Sequence, residues 1–295
     1  MKSNCTRYRG LLFFALLLTS AFSYSACRET GVQLQVLGSG GPGHASGRAS
    51  SAYVIWLNGQ SRVLLDAGSG TKNLFHQSGA TIDAIDLIAL SHLHPDHASE
   101  LPAILWPSGG NFTLAGPIGG GVFPSITGFA DKMFGSGGAF QILSERINYN
   151  VIQIDTVNPA PIAVWENGSI AVTAAAVPHG DVPTLGYRVD VAGISIGFTS
   201  DQNGSDPAFI DFIRAVDFLV IHLAGNEDST GAIAFLHAKP SVWGQMATAA
   251  EADHVVVSHI STSDDNILQQ NLAILRANYD GPVTVAEDLM CIELD

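Results

Sequence analysis

His92-Leu93-His94-Pro95-Asp96-His97 packs four metal-ligating side chains into six residues, directly after residues 85–90, a stretch apolar but for Asp86. A strand of that composition is buried and rigid, so the run is anchored where the strand ends and a helix is about to begin. Pro95 fixes its own φ and steers His94 away from helical geometry, so the chain turns between His94 and Asp96. His92 and His94 can then point one way while Asp96 and His97 point to a second position. Imidazole and carboxylate are the ligand types of zinc and related divalent metals. A lone histidine on a loop is ordinarily a solvated side chain; four ligand types in so short a run need another explanation.

Three distant positions repeat the grammar. His179 follows Val177-Pro178, Asp201 follows residues 194–199, and His259 follows Val255-Val256-Val257-Ser258. Each is a ligand-type residue just past an apolar strand, and strand ends converge on one rim of a sheet, where sites are built. Alternation and turn residues predict strands over 32–37, 51–57 and 61–65, the last two joined by the hairpin signal Asn58-Gly59. Further strands are predicted over 149–154, 162–165, 169–175, 184–189, 194–199, 218–221, 254–257 and 283–286. Helices are predicted over 72–79, 98–106, 207–215, 242–252 and 267–279. Strands first, then mixed strands and helices, twice over, predict an α/β fold: a four-layer αβ/βα sandwich of two mixed sheets packed face to face with outer helices. The expected unit is one domain over 32–290 with a Gly-rich, loop-rich insertion at about 107–144, either a substrate-side lid or a tolerated surface loop.

The beginning of the chain reads differently. Lys2, Arg7 and Arg9 form a positive head, residues 11–18 are apolar, and small residues follow at Ala21, Ser23, Ser25 and Ala26. This is the layout of a secretory signal peptide over residues 1–25, and its apolar run is shorter than the ~20 residues a membrane span needs. The mature chain is therefore expected to be exported, periplasmic or secreted, with no transmembrane helix. A lipid anchor on Cys27 ranks below plain export, because Tyr24 sits where such a signal wants a small apolar residue. Losing three basic residues and no acidic one takes the formal charge from −14 to about −17, a balance that repels polyphosphate backbones. Nucleic acid is excluded on that ground as the expected partner, leaving a small-molecule ester; a homodimer stays open. Cys27 and Cys291 remain after Cys5 leaves with the signal, either as two free thiols or as a disulfide tying the two ends together.

Leu65-Asp66-Ala67-Gly68, Ser91 with the run His92 to His97, His179, Asp201 and Ser258-His259-Ile260 resemble, in order, the metallo-β-lactamase superfamily over about residues 32–290. The resemblance implies that His92, His94 and His179 hold one metal, that Asp96, His97 and His259 hold a second, and that Asp201 bridges the two. The cofactor implied is two divalent ions, zinc first, manganese or iron as alternatives. Asp66 would orient the histidine loop or cap a turn. Val36-Leu37-Gly38-Ser39-Gly40-Gly41-Pro42 and Leu236-His237-Ala238-Lys239-Pro240 resemble the branch of ribonuclease Z, related phosphodiesterases and arylsulfatase-like enzymes. That branch implies a catalytic proton donor at His237; the expected nucleophile is a metal-bridging hydroxide that a catalytic Asp96 and Asp201 hold and orient. His222, past the strand 218–221, reads as a buried, hydrogen-bonded residue ahead of a direct role. Two departures count. Only 21 residues separate His179 from Asp201, too few for the tRNA-gripping arm typical of ribonuclease Z, and Asp201 stands where true β-lactamases carry Cys. The expectation is an exported dinuclear-metal hydrolase of a small phosphodiester or sulfate ester. The alternatives are a lactone, thioester or carboxylic ester hydrolase on the same site, a ribonuclease Z-like endoribonuclease, and a non-catalytic periplasmic metal- or solute-binding protein.

Overall fold

Alternation at the first strands decides which face each residue buries. In the computed structural model, which describes residues 27, 30–43, 46–158 and 160–294, Leu34, Val36, Tyr53 and Ile55 point into one core and Leu37, Val54 and Trp56 into another. The expected signal peptide lies outside the described residues. β1 (Val32–Gly38), β2 (Ala52–Leu57), β3 (Gln60–Leu65), β4 (Leu87–Ala89), β5 (Gly110–Pro117) and β6 (Ile147–Ile154) lie side by side in this order. The second sheet runs β7 (Ile162–Asn167), β8 (Ile170–Ala176), β9 (Leu185–Val191), β10 (Ile194–Phe198), β11 (Phe218–His222), β12 (His254–Ser258) and β13 (Val283–Val285). The chain then returns to the first sheet as β14 (Met290–Leu294), antiparallel to β1. Each sheet has seven strands, and each begins antiparallel and continues parallel from its middle.

The helices cover the outer faces. α1 (Thr71–Gln77), α2 (Pro95–Ala98), α3 (Leu101–Leu105) and α4 (Ile126–Phe134) follow strands of the first sheet, and Phe75, Leu101, Leu105, Ile126 and Phe134 seal its outer face. α5 (Ala208–Phe212), α6 (Gly231–Leu236), α7 (Pro240–Ala249) and α8 (Asp265–Arg276) follow strands of the second, whose outer face packs on Phe209, Trp243, Leu268, Leu272 and Leu275. The largest apolar cluster lies between the sheets and draws residues from both, from Leu34 and Val63 to Val189, Val220 and Val256. This is the predicted four-layer sandwich. Among the described residues no helix is long and apolar enough to cross a membrane.

The structure departs from the sequence reading in four places. Residues 107–144 hold β5, α4 and a 3-10 turn, and β5 pairs with both β4 and β6, so this stretch is part of the sheet. Its apolar side chains are spaced by glycines, which masks the period; burial between two neighbours makes the strand. The helix expected over 98–106 is shorter, α3 alone, and is separated from the single turn of α2 before it, because Pro102 has no N–H to give the carbonyl of Ala98. The remaining two are elements the sequence pattern does not predict, α6 and β14.

β14 also settles the cysteines. Cys291 lies in β14 opposite Gln35 of β1, and it is disulfide-bonded to Cys27 across 264 residues with Cα atoms 5.5 Å apart. A cross-link closing so long a loop restricts the unfolded chain, an effect of about 2–4 kcal/mol in typical cases. Replacing both Cys27 and Cys291 by Ser should lower the midpoint of urea unfolding accordingly. Thiol titration of the unfolded, unreduced mature protein should find neither cysteine free; two reactive thiols there would contradict the pairing.

Candidate metal centre

The predicted site residues sit at or just past the ends of strands, or in or just after a short helix, along one rim. β3 delivers Asp66, β4 leads into the run from His92 to His97, β8 into His179, β10 into Asp201, and β11 ends on His222. β12 leads into His259, and α6 into His237. His94 is the N-cap of α2, with Asp96 and His97 in its single turn. The backbone is left-handed at Asp66 (φ 60°), at Ser200 just before Asp201 (φ 53°) and at His259 (φ 53°). Such conformations cost a non-glycine residue about 1–2 kcal/mol each, and their place here on the functional rim fits strain held in service of side-chain aim.

Two groups of ligand atoms form, and they meet at Asp201. His92 Nε2 lies 2.9 Å from His94 Nδ1, and His179 Nε2 lies 3.4 Å from that same atom. Nitrogens bound about 2 Å from a tetrahedral zinc would stand roughly 3.3 Å apart. In the second group His97 Nε2 is 3.2 Å from His259 Nε2, which is 3.3 Å from Asp96 Oδ2. Asp201 Oδ2 lies 3.5 Å from His97 Nε2 and 3.8 Å from His179 Nε2, so one carboxylate faces both groups. His97, Asp201, His222 and His259, and separately His92, His94 and His179, have ligand atoms within 4.8 Å of one another. Imidazole lone pairs crowded nose to nose in a buried pocket repel unless a cation sits among them, so the donor set fits divalent metal.

The supporting shell is as closely made. Asp66 accepts from His97 Nδ1 at 2.7 Å, from the Ser91 backbone N–H at 2.7 Å and from Ser91 Oγ at 2.9 Å, which fixes the His97 ring with Nε2 towards the centre. His179 Nδ1 donates to the Leu236 carbonyl at 2.9 Å, turning its Nε2 inward likewise. His222 Nδ1 donates to Asp201 Oδ1 at 2.8 Å and its Nε2 lies 3.0 Å from the Tyr53 hydroxyl, itself 2.9 Å from Ser258 Oγ. Both ring nitrogens of His222 are thus engaged, and it steadies Asp201. His237 is 8% exposed; its Nδ1 has no hydrogen-bond partner and lies 3.8 Å from Asp201 Oδ2. Two glycines let the backbone close in: a Cβ on Gly68 would stand 2.1 Å from the Asp96 carbonyl oxygen, and one on Gly41 2.8 Å from the His259 ring. Sequence reasoning missed Tyr53, Ser91 and Ser258 as supports. The two serines carried a signal, each directly preceding a ligand-type histidine; Tyr53 carried none.

Electrostatics follow from burial. Burial opposes ionisation of Asp201, but His259, His97 and the bond from His222 hold its carboxyl well below the usual range. Burial opposes ionisation of Asp96 too, yet the bond from His259 and the charges of His97 and His259 hold it at about 2. Burial lowers His92, His94 and His179, and lowers His222 and His237 to about 4. Burial also pushes His97 down, but Asp66 and Asp201 override it and raise it well above the ordinary value.

The sign of the pH dependence follows. Below about pH 6.5 the unfolded chain binds protons at these five histidines before the folded chain does, and for His222 and His237 this lasts down to about pH 4. Folded stability therefore falls as pH drops through that window. His97 acts outside that window: its contribution is fully present below its unfolded pKa and is lost as pH rises through its raised folded value, so it does not offset the fall. Thermal midpoints of the chelator-treated protein should fall steadily from pH 7 to pH 4.5; a flat or rising profile would contradict these ionisation states.

The chain is similar to several known proteins. The ribonuclease Z of Methanopyrus kandleri is 24% identical over 268 residues, 79% of this chain and 88% of that protein. The crystal structure of the short form of human tRNase Z superposes with a TM-score of 0.69 at 21% identity, over 89% of this chain and 99% of that one. The metallo-β-lactamase fold protein YhfI of Bacillus subtilis superposes with a TM-score of 0.69 at 18% identity, over 88% and 98% of the two chains. Residues 61–260, well over half of the sequence and holding every ligand-type residue named above, match the beta-lactamase superfamily domain, and the chain belongs to that superfamily.

Proposed function

We propose that this protein hydrolyses a phosphodiester or sulfate ester of a small molecule, using two divalent metal ions, zinc first among them. The observation that carries the reading is the Asp201 carboxylate, which faces both groups of ligand atoms. His92, His94 and His179 would hold one ion and Asp96, His97 and His259 the other, with Asp201 between them. That the chain is a metal-dependent hydrolase of ester bonds agrees with its superfamily and with the ribonuclease Z relatives. Two bound cations supply acidified water at neutral pH and draw off the charge that builds on phosphorus or sulfur. Asp96, ionised, accepts a hydrogen bond from the attacking water and aims its lone pair. His237, neutral at pH 7 because burial holds its pKa at about 4, takes up the proton the water releases and passes it to the leaving oxygen.

Export supports a small substrate. A leader-like first 25 residues and the Cys27–Cys291 disulfide fit an oxidising compartment, and the strongly acidic remainder repels a polyanion. Similarity to ribonuclease Z favours one second reading, cleavage of an RNA phosphodiester. Against it, the 21 residues between His179 and Asp201 are taken up largely by the in-sheet pair β9 and β10, which leaves no arm at that point to grip tRNA.

Metal analysis with a panel of chromogenic phosphodiester, sulfate, lactone and cephalosporin substrates, plus a precursor tRNA, tests both readings. Two metal equivalents and turnover of a phosphodiester or sulfate, abolished by chelator, are expected. Tight metal with no turnover of any substrate would favour a binding protein. His94→Ala should lose metal and activity together, and normal metal content would sink the ligand assignment. His237→Ala should keep its metal and lose about 100-fold or more in kcat on esters with poor leaving groups. An unchanged rate on an alkyl ester would remove the proton-transfer role.

A further inference from the structure

The ligand-type residues show where the site opens. His92, His97, His179, Asp201 and His259 are sealed, while His94 is half-buried and Asp96 and His237 keep a little exposure. A substrate must therefore arrive past His94 and His237. What borders those two residues is apolar. Phe123 stands edge-on to the His94 ring at 5.3 Å, which in turn faces His179 at 5.3 Å. Phe123 closes a tight turn, its N–H and carbonyl both bonded to Gly120 at 3.0 and 3.1 Å, and the turn presents Val122 at 91% exposure. On the other side α6 ends at His237 and holds His179 through the Leu236 carbonyl. No residue of α6 is buried: Ile233 is 47% and Phe235 55% exposed, and the Phe235 ring crowds the backbone of Gly180, next to His179.

Single exposed hydrophobics on a surface need no explanation, but a group of them around one opening does. Beneath the turn a cleft of about 440 Å³ runs between Gly119-Gly120 and the loop after His179, within the range of small-molecule sites. Its walls include Ile118, Val182 and Pro183; its only charged residues are Asp181 and Asp206. A polyanion would meet acid there, and a hydrocarbon would meet its like.

We propose that the mouth of the metal centre is a binding site for the apolar arm of the substrate: the ester group lies over the metals, and an aliphatic or aromatic substituent lies across Val122, Phe123, Ile233 and Phe235. The inference presupposes the metal-loaded hydrolase proposed above and specifies the class of ester it takes, one with a compact polar head and a hydrocarbon tail. Continuity with the site selects this occupant, since the apolar residues border the half-buried His94 and the loop that carries His179.

Binding, which needs no turnover, is the test. Methylphosphonate and hexylphosphonate are titrated calorimetrically into the zinc-loaded full-length mature protein. Hexylphosphonate should bind at least about tenfold more tightly, since each methylene removed from water contributes to affinity. In the double variant Val122→Gln, Phe235→Gln, both at exposed positions, that ratio should shrink at least threefold. Equal affinity of the two ligands, or a ratio untouched by the substitutions, would overturn the proposal. A clear preference for the longer chain in a protein that cleaves no phosphodiester or sulfate would leave the apolar site standing and refute the choice of bond instead. A dimer that the same substitutions dissociate, with no chain-length effect on binding, would assign the surface to a second copy of the chain and likewise overturn it.

Discussion

Asp201 is an ionised carboxylate with 2% exposure, and five imidazoles converge on it between 2.8 and 3.8 Å. A buried charge without partners costs several kcal/mol, so this one side chain dictates much of what surrounds it. Its partners come from both sheets: His97 follows the first, and His179, His222 and His259 belong to the second. Removing any of them leaves the others facing an underpaired carboxylate. The large apolar cluster between the sheets sets their separation, and that separation brings the partners within reach. Packing and electrostatics here are one constraint seen from two sides.

The same constraint explains what could be read in advance. A ligand-type residue past an apolar strand is a local pattern, visible in one dimension at His92, His179, Asp201 and His259, because each depends only on its own strand's burial. The sandwich was legible for a like reason: alternation at 32–37 and 51–57 is a property of each strand alone. What escaped was non-local. β14 is a strand because β1 offers it an edge, and β5 because β4 and β6 flank it. Tyr53 is one apolar-facing residue among many in β2 until the second sheet sets Ser258 and His222 against its hydroxyl. The disulfide was an even choice from composition; the pairing of β14 beside β1 places Cys291 within reach of Cys27.

The glycine-rich segments likewise have a physical reading once the rim is in view. Asp66-Ala67-Gly68 brings its backbone against the loop carrying Asp96, and the turn ending in Gly41 leans on His259. The Gly41 turn lies outside the catalytic chemistry proposed here, yet it sets how far the His259 ring can swing. Left-handed backbone at Asp66 and His259 does the same from within the chain. Loops that flex freely would blur ligand positions by more than the few tenths of an ångström a metal tolerates; these are pinned by close contact and by hydrogen bonds to buried groups.

Tyr53 shows how deep this pinning goes. His222 sits at about pKa 4, so at neutral pH it carries one ring proton, and only one of its nitrogens can donate. The Asp201 carboxylate can only accept, so the proton belongs on Nδ1; the Tyr53 hydroxyl stands 3.0 Å from Nε2 and donates its own proton to Ser258 Oγ at 2.9 Å. Burial raises the Tyr53 pKa far above neutrality, which keeps that hydroxyl a donor. Asp201 therefore selects the tautomer of a histidine at the end of the second sheet, a phenol from the middle of the first sheet packs against that ring's other nitrogen, and the histidine fixes one oxygen of Asp201. With Oδ1 so engaged, Oδ2 is the oxygen that faces both His97, which follows the first sheet, and His179, which follows a strand of the second.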